Sequence, residues 1–438
     1  MKTAIPFHLI RNTHALSCLL ALWCSTASIR AASSEPTRPN ILFLLTDDQT
    51  WEALGCTGGE VKTPNMDGLA ARGMLFTHGY NMGSWTGAVC VASRTMFNTG
   101  RTLWHCRDLE LAELAYRASR KDGNSPLAKP NPGTAWSQWL RSAGYRTYFA
   151  GKWHTIVHDV HDLFDIVGTV RPGMADDTPD GYNRPDAAGI RTWLPWDQSK
   201  GGHWEGGRHW EEILADEGIG FLKIAAQRKE PFFMYLAFNS PHDPRQSPRD
   251  YVEMYPIDQV KVPRNFLPDY PYRLNIGLPD SQRDERLAPH PRTEFAIKVH
   301  RQEYYALVTF LDAQIGRILD ALEKNGLAGN TIVFSPRTTA CPWVTTVCWV
   351  SKTCMMTAYA HRSSLPAPAS LPGGAPILAS TSRTSSPRRL PWPAPPFRPT
   401  WNFPACYLCC TASRSTVAPE STAPISVSSV PWSKATGS

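Results

Sequence analysis

Ile41-Leu42-Phe43-Leu44-Leu45-Thr46-Asp47-Asp48 is the stretch that sets the architecture. Five apolar residues with no polar alternation read as a strand covered on both faces, which is the habit of central strands in parallel sheets. The two carboxylates that follow stand at the carboxyl end of that strand, where open α/β sheets place their ligands. Further along, Tyr145–Ala150, Pro231–Asn239 and Thr331–Phe334 read as additional strands. Asn65–Gly73, Thr134–Ala143 (closed by Gly144) and His209–Lys223 carry helical spacing, and Glu294–Asn325 reads as a long amphipathic helix or helix pair closed by Gly326. Strand, helix and strand in repetition predict an α/β fold with a central mixed, mostly parallel sheet flanked by helices. His158–Arg208 and Gln246–Thr293 are rich in turn formers and read as irregular, the first as an insertion over a site.

At 438 residues, 42% of them hydrophobic, the chain can bury one large α/β core or two smaller ones. Lys2 and Arg11 lead into the short apolar run Ala15–Cys24 and then into Ser25, Ala27, Ser28, Ala31 and Ala32. That pattern predicts an export signal over residues 1–32, hence a secreted or periplasmic protein. Trp23 argues against a lipid-anchored Cys24, and no later run reaches membrane-spanning length. The net charge of +7 is misleading as one number. Residues 335–438 hold nine Lys and Arg against the single acid Glu420, a net +8, which leaves residues 1–334 at −1. The body therefore offers no case for a nucleic-acid surface. Cysteine is divided similarly: Cys56, Cys90 and Cys106 lie in the body and six lie beyond residue 335. Three leave at least one unpaired, and there is no paired CxxC pattern for zinc.

The chemistry concentrates at four places. Cys90-Val91-Ala92-Ser93-Arg94 continues into Thr95-Met96-Phe97-Asn98 and Thr99-Gly100-Arg101. Asp47 and Asp48 follow the first strand; adjacent carboxylates suit a hard dication, although such a pair alone is as often a turn or cap. Gly151-Lys152-Trp153-His154 ends the second strand, and Ser240-Pro241-His242 ends the third. Imidazole at such a place suits proton transfer near neutral pH.

Taken in chain order (the first strand with Asp47-Asp48, the Cys90 motif, Gly151–His154, Ser240–His242, the long helix and the strand at Thr331–Phe334) these features resemble the sulfatase family of the alkaline-phosphatase superfamily, over about Arg38 to Phe334. The resemblance implies that Cys90 is oxidised by a formylglycine-generating maturation enzyme to the aldehyde. The hydrated aldehyde would attack sulfur, and its second hydroxyl would later expel the sulfate. It implies calcium held by Asp47, Asp48 and the modified Cys90. Arg94 and Lys152 would grip the sulfate oxygens, His154 would orient the formylglycine, and His242 would protonate the leaving alcohol. The implied substrate is a sulfate ester, with sulfated carbohydrate favoured by the Trp- and Arg-rich insertions. The alternatives are a phosphomonoester or phosphonate hydrolase of the same superfamily, or a non-catalytic binder of sulfated glycans. His203 and His209, among Trp204 and Trp210, read as a packed aromatic loop rather than a sugar wall. Asp312 reads as a solvated or core-edge carboxylate, and Cys56 and Cys106 have no assigned chemistry.

The resemblance ends at Phe334. A sulfatase would next show D-H or D-N before Gly, then a Lys some dozen residues on. This chain reads Ser335-Pro336-Arg337-Thr338-Thr339-Ala340-Cys341, and residues 335–438 hold 16 prolines and no Asp. Composition marks that segment as a low-complexity, disordered tail without the family's small C-terminal sheet subdomain. Permitted codons for Pro336 to Arg362, read one frame over, give A-E-D-H-G-L-S-V-G-H-H-G-L-L-G-K-Q-N-L-Y-D-D-S-V-R-A-P, which supplies both missing elements. The tail is therefore expected to be a frameshift product. The catalytic domain spans 38–334 and is incomplete as written, with weak calcium binding and little activity.

Overall fold

The computed structural model describes residues 38–77, 82–85, 89–121, 127–175, 185, 188–190, 192–269, 271, 275, 287 and 290–338. The predicted export signal and nearly all of the predicted tail, including the place of any C-terminal subdomain, lie outside these residues.

In chain order the elements are β1 (Asn40–Leu45), α1 (Pro64–Arg72), α2 (Val89–Thr99), α3 (Leu103–Lys121), α4 (Trp136–Ser142), β2 (Arg146–Lys152), α5 (Val160–Leu163) and β3 (Ile166–Arg171). There follow β4 (Trp204–Glu205), β5 (Arg208–His209), α6 (Trp210–Ala226), β6 (Phe232–Ala237), α7 (Arg249–Glu253), α8 (Glu294–Lys324) and β7 (Thr331–Phe334). Five strands form one sheet in the order β3-β2-β6-β1-β7, and every pairing in it is parallel. The antiparallel pairing lies in the separate β4–β5 hairpin.

The apolar runs explain the layering. Successive side chains of a strand point to opposite faces. Leu42, Leu44, Tyr148, Ala150, Met234 and Leu236 therefore join one core, beneath α1, α6 and α8. Phe43, Leu45, Phe149, Phe233, Tyr235 and Ala237 join a second core on the opposite face, with Trp136 of α4 packed into it. Phe43 meets Trp136 edge to face at 4.8 Å and Tyr235 at 5.0 Å. Both faces are covered, so strands without alternation are the stable choice.

Three expectations need correction. The segment predicted as a long insertion loop contains edge strand β3, paired with β2 from Tyr148↔Ile166 to Lys152↔Arg171. Its half-buried Ile-Val-Gly-Thr-Val-Arg lacks the apolar run that betrays a central strand. Glu294–Lys324 is one helix, capped by the Thr293 hydroxyl, which accepts from the Ala296 amide at 3.1 Å. It is buried around most of its circumference rather than amphipathic. Asp312 on it is buried, not solvated: it accepts from the Asn65 and Met66 amides at 3.0 and 2.8 Å and so caps α1. His203 and His209 do pack as an aromatic cluster, with His209 4.9 Å from the Phe310 ring and His203 5.1 Å from Trp210.

Candidate functional site

Because the strands are parallel, Leu45, Lys152, Ala237 and Phe334 all end at the same edge of the sheet. Each strand hands its motif to that edge. After β1 the chain is pinned on both sides: the Asp47 amide donates to the Ser240 carbonyl at 3.0 Å and the Thr46 amide to the Pro336 carbonyl at 3.2 Å. Asp48 then takes a φ of 60°, and beyond β2 His154 takes 48°. Among the described residues these two alone, outside glycine, have positive φ. Such strain is retained where surrounding structure enforces a functional geometry.

The sequence-derived residues converge. Asp47 has no exposed surface, and its Oδ2 receives the Lys152 ammonium, with Arg94 Nη2 at 3.8 Å. Arg94 is fixed by donating to the Lys152 carbonyl at 2.6 Å. Cys90, in the first turn of α2, has its Sγ 3.4 Å from His154 Nδ1. His242 Nε2 lies 3.4 Å from Asp48 Oδ2. One donor atom each from Asp47, Cys90 and His242 falls within a 4.8 Å cluster. Thus Cys90, Arg94, Lys152, His154, His242, Asp47 and Asp48 occupy one place.

Burial sets the protonation states. It pushes the Cys90 thiol up to about 11, outweighing the pull of Lys152. Only on the order of one molecule in ten thousand is then a thiolate at neutral pH, so unmodified Cys90 is a poor nucleophile. Burial and the Lys152 charge hold His154 down to about 3, so it is a neutral imidazole. Burial works to raise the Asp47 carboxyl, but Lys152, Arg94 and His242 outweigh it and keep the group ionised. Two cations thus face a buried anion beside a protonated thiol, an arrangement able to hold an anion whose charge is spread over several oxygens.

A calcium ion fits this donor set poorly. Calcium takes six to eight oxygens. Here Asp47 Oδ2 is turned to Lys152 and its Oδ1 to the Thr338 hydroxyl, while Asp48 is turned to His242. Of the three donors in the cluster only Asp47 offers oxygen; the others are the Cys90 sulfur and a His242 nitrogen, softer partners than calcium prefers.

Sequence reasoning missed several supporting groups. The Tyr304 hydroxyl donates to the Asp48 carbonyl at 3.0 Å and accepts from the Thr50 amide at 2.9 Å. The Thr338 hydroxyl accepts from the Asp48 amide at 3.1 Å. Gly173 seats the His154 ring, and any Cβ there would overlap the imidazole at Nε2. A helix Tyr, a Thr and a loop Gly carry no local pattern that marks such roles.

A sulfatase family model matches residues 39–335, and the chain belongs to the sulfatase family, within the alkaline-phosphatase superfamily. It is 25% identical over 312 residues to the uncharacterized sulfatase YidJ of Escherichia coli (strain K12), covering 68% of this chain and 56% of that protein. It is 26% identical over 352 residues to the iduronate 2-sulfatase of Mus musculus, covering 72% and 57%. The chain thus spans less than two thirds of the length of these relatives. Among solved structures, the phosphonate monoester hydrolase of Agrobacterium radiobacter shares the fold, with a TM-score of 0.51 at 18% identity, covering 74% of this chain and 68% of that one. For the family generally, membership implies a formylglycine and a metal ion.

Proposed function

We propose that the intact protein hydrolyses sulfate esters, with sulfated carbohydrate as the substrate class, through a formylglycine made from Cys90. The observation that carries this is the convergence of Cys90, Asp47 and His242 within 4.8 Å, with Lys152 and Arg94 against the Asp47 carboxylate. Formylglycine would supply a hydrated aldehyde as nucleophile, a task for which the protonated thiol is unsuited. Lys152 and Arg94 would bind and neutralise the sulfate oxygens. Neutral His154, whose Nδ1 faces residue 90, would orient the hydrated aldehyde by a hydrogen bond. His242 has Nε2 toward Asp48 and Nδ1 3.1 Å from the Asp243 carbonyl, and would serve proton transfer to the leaving alcohol. The signal-like segment at residues 1–32 supports export, which would bring the chain to a formylglycine-generating enzyme on its way.

The chain as written is expected to be impaired, and the calcium site belongs to the restored frame. β7 does not stop its pairing at Phe334: the Thr338 amide donates to the Thr46 carbonyl at 2.9 Å, and Thr338 Oγ1 touches Asp47 and Asp48. Counted along the shifted frame from Pro336, the residue at 338 is Asp, followed by His and Gly. An additional carboxylate would thus stand beside Asp47, where calcium needs another hard donor.

Two measurements test the reading. Mass spectrometry of the Cys90 peptide, after expression with a maturation enzyme, should show formylglycine. Restoring the frame near codon 335 should yield sulfate-ester turnover well above that of the chain as written. Phosphonate or phosphomonoester turnover exceeding sulfate-ester turnover would replace the substrate class. Calcium-dependent glycan binding without turnover would replace catalysis by recognition.

A further inference from the structure

Glu211 is the second residue of α6, and its side chain is buried at 1% exposure. Its Oε1 accepts from the Asn239 amide at 3.1 Å and from the Ser240 amide at 2.6 Å. Those two peptide groups are the junction of the site. The Ser240 carbonyl receives the Asp47 amide at 3.0 Å, and the Asn239 carbonyl receives the His242 amide at 3.1 Å. The Asn239 side chain donates onward to the Pro172 carbonyl at 3.3 Å, next to the Gly173 seat of His154. One carboxyl oxygen therefore grips the backbone from which Asp47 and His242 both take their positions.

The surroundings suit an anchor rather than a reactant. The void beside Glu211, bounded by Gly151, Arg171, Trp210 and Asn239, measures about 10 Å³. That is room for about one water molecule and for no substrate. Glu211 lies in the first turn of a helix, where the backbone dipole favours negative charge.

We infer that Glu211 is a positioning residue for the proposed hydrolytic site, holding the Asn239–Ser240 junction so that His242 and Asp47 face one bound anion. The inference rests on reading that site as a sulfate-binding centre. Hydrogen exchange of the segment 239–242 tests the anchor, and titration with inorganic sulfate tests its consequence, both on the full chain. Glu211→Gln keeps one acceptor oxygen at the same reach and should stay within about twofold of the parent in both readouts. Glu211→Asp withdraws the carboxyl by one methylene. It should speed exchange at 239–242 at least several-fold, leave α8 protected, and weaken sulfate binding by roughly tenfold. If the parent fails to bind sulfate, the reading of the site fails, and the exchange data still decide the anchor. Parent-like exchange in Glu211→Asp, or equal losses in both variants, overturns the inference.

Discussion

The Lys152 ammonium lies against the Asp47 carboxylate, and neither side chain has any exposed surface. This pair joins the ends of β2 and β1 across the intervening β6, so it holds the site edge together as well as charging it. Removing one partner of a buried pair leaves the other uncompensated. Lys152→Met should therefore cost about 3–5 kcal/mol, less whatever Arg94 recovers, as read from urea unfolding. A loss under about 1 kcal/mol would mean that the pair is dispensable to the fold.

Thr338→Asp tests the missing donor. Without calcium, a second buried carboxylate beside Asp47 should lower stability through like-charge repulsion. Calcium at about a hundredfold above its dissociation constant should restore about 2–3 kcal/mol in the variant and nothing comparable in the parent. A thermal shift that ignores calcium in both chains would contradict the placement.

Tyr304→Phe removes the hydroxyl shared by the Asp48 carbonyl and the Thr50 amide. One buried and one part-buried backbone group then lose a partner, at a cost of about 1–3 kcal/mol. Asp48, held at a φ of 60°, should relax. Weaker sulfate binding alongside the stability loss is the expected signature; a stability loss with unchanged binding would limit Tyr304 to the fold.

Glu211 also sets a pH dependence. Burial pushes its carboxyl up to about 7 from an ordinary 4.5, against the hydrogen bonds from Ser240 and Asn239. The folded chain then holds that proton more tightly than the unfolded chain. The resulting stability is fully present below pH 4.5 and is lost as pH rises through about 7. Glu211→Gln cannot titrate. Its stability relative to the parent should improve between about pH 5 and pH 8, by at most about 3 kcal/mol. Chemical denaturation across that range checks this, and a pH-independent difference would refute it.

Gly173→Ala should displace the His154 imidazole, since the new Cβ would overlap the ring at Nε2. His154 then loses its 3.4 Å approach to Cys90 Sγ. Turnover of the frame-restored enzyme should fall by about 10²-fold or more, as expected when a group at the reacting centre moves by about 1 Å. Parent-like turnover would show that His154 is held by other contacts.

Most of the sheet was legible because a doubly covered strand must be continuously apolar: Ile41–Leu45 and Phe232–Ala237 announce themselves. The edge strand β3 was not, because half-buried Gly-Thr-Val resembles loop. Whether Asp312 is solvated or at the core edge stayed open, and its capping role unseen, because the sequence cannot show that the start of α1 packs on α8 and needs its four orphan amides satisfied. Gly151 illustrates a motif glycine whose reason is tertiary. Its φ of 100° accompanies the register shift between β2 and β3, and a Cβ there would collide with the Ala237 carbonyl oxygen.

Local sequence pattern was enough for the family and the central strands, and it singled out seven side chains that the sheet gathers in one place, since chemistry at a strand end needs particular side chains in a short run. It also marked residue 335 as a break in composition. Three-dimensional packing was needed to put Thr338 beside both aspartates, to neutralise Asp47 with Lys152, and to brace the loops with Tyr304, Gly173 and Glu211. These are contacts between residues far apart in the chain. Parallel strands bring them together by aligning all their carboxyl ends on one edge, a condition that no local window of sequence can express.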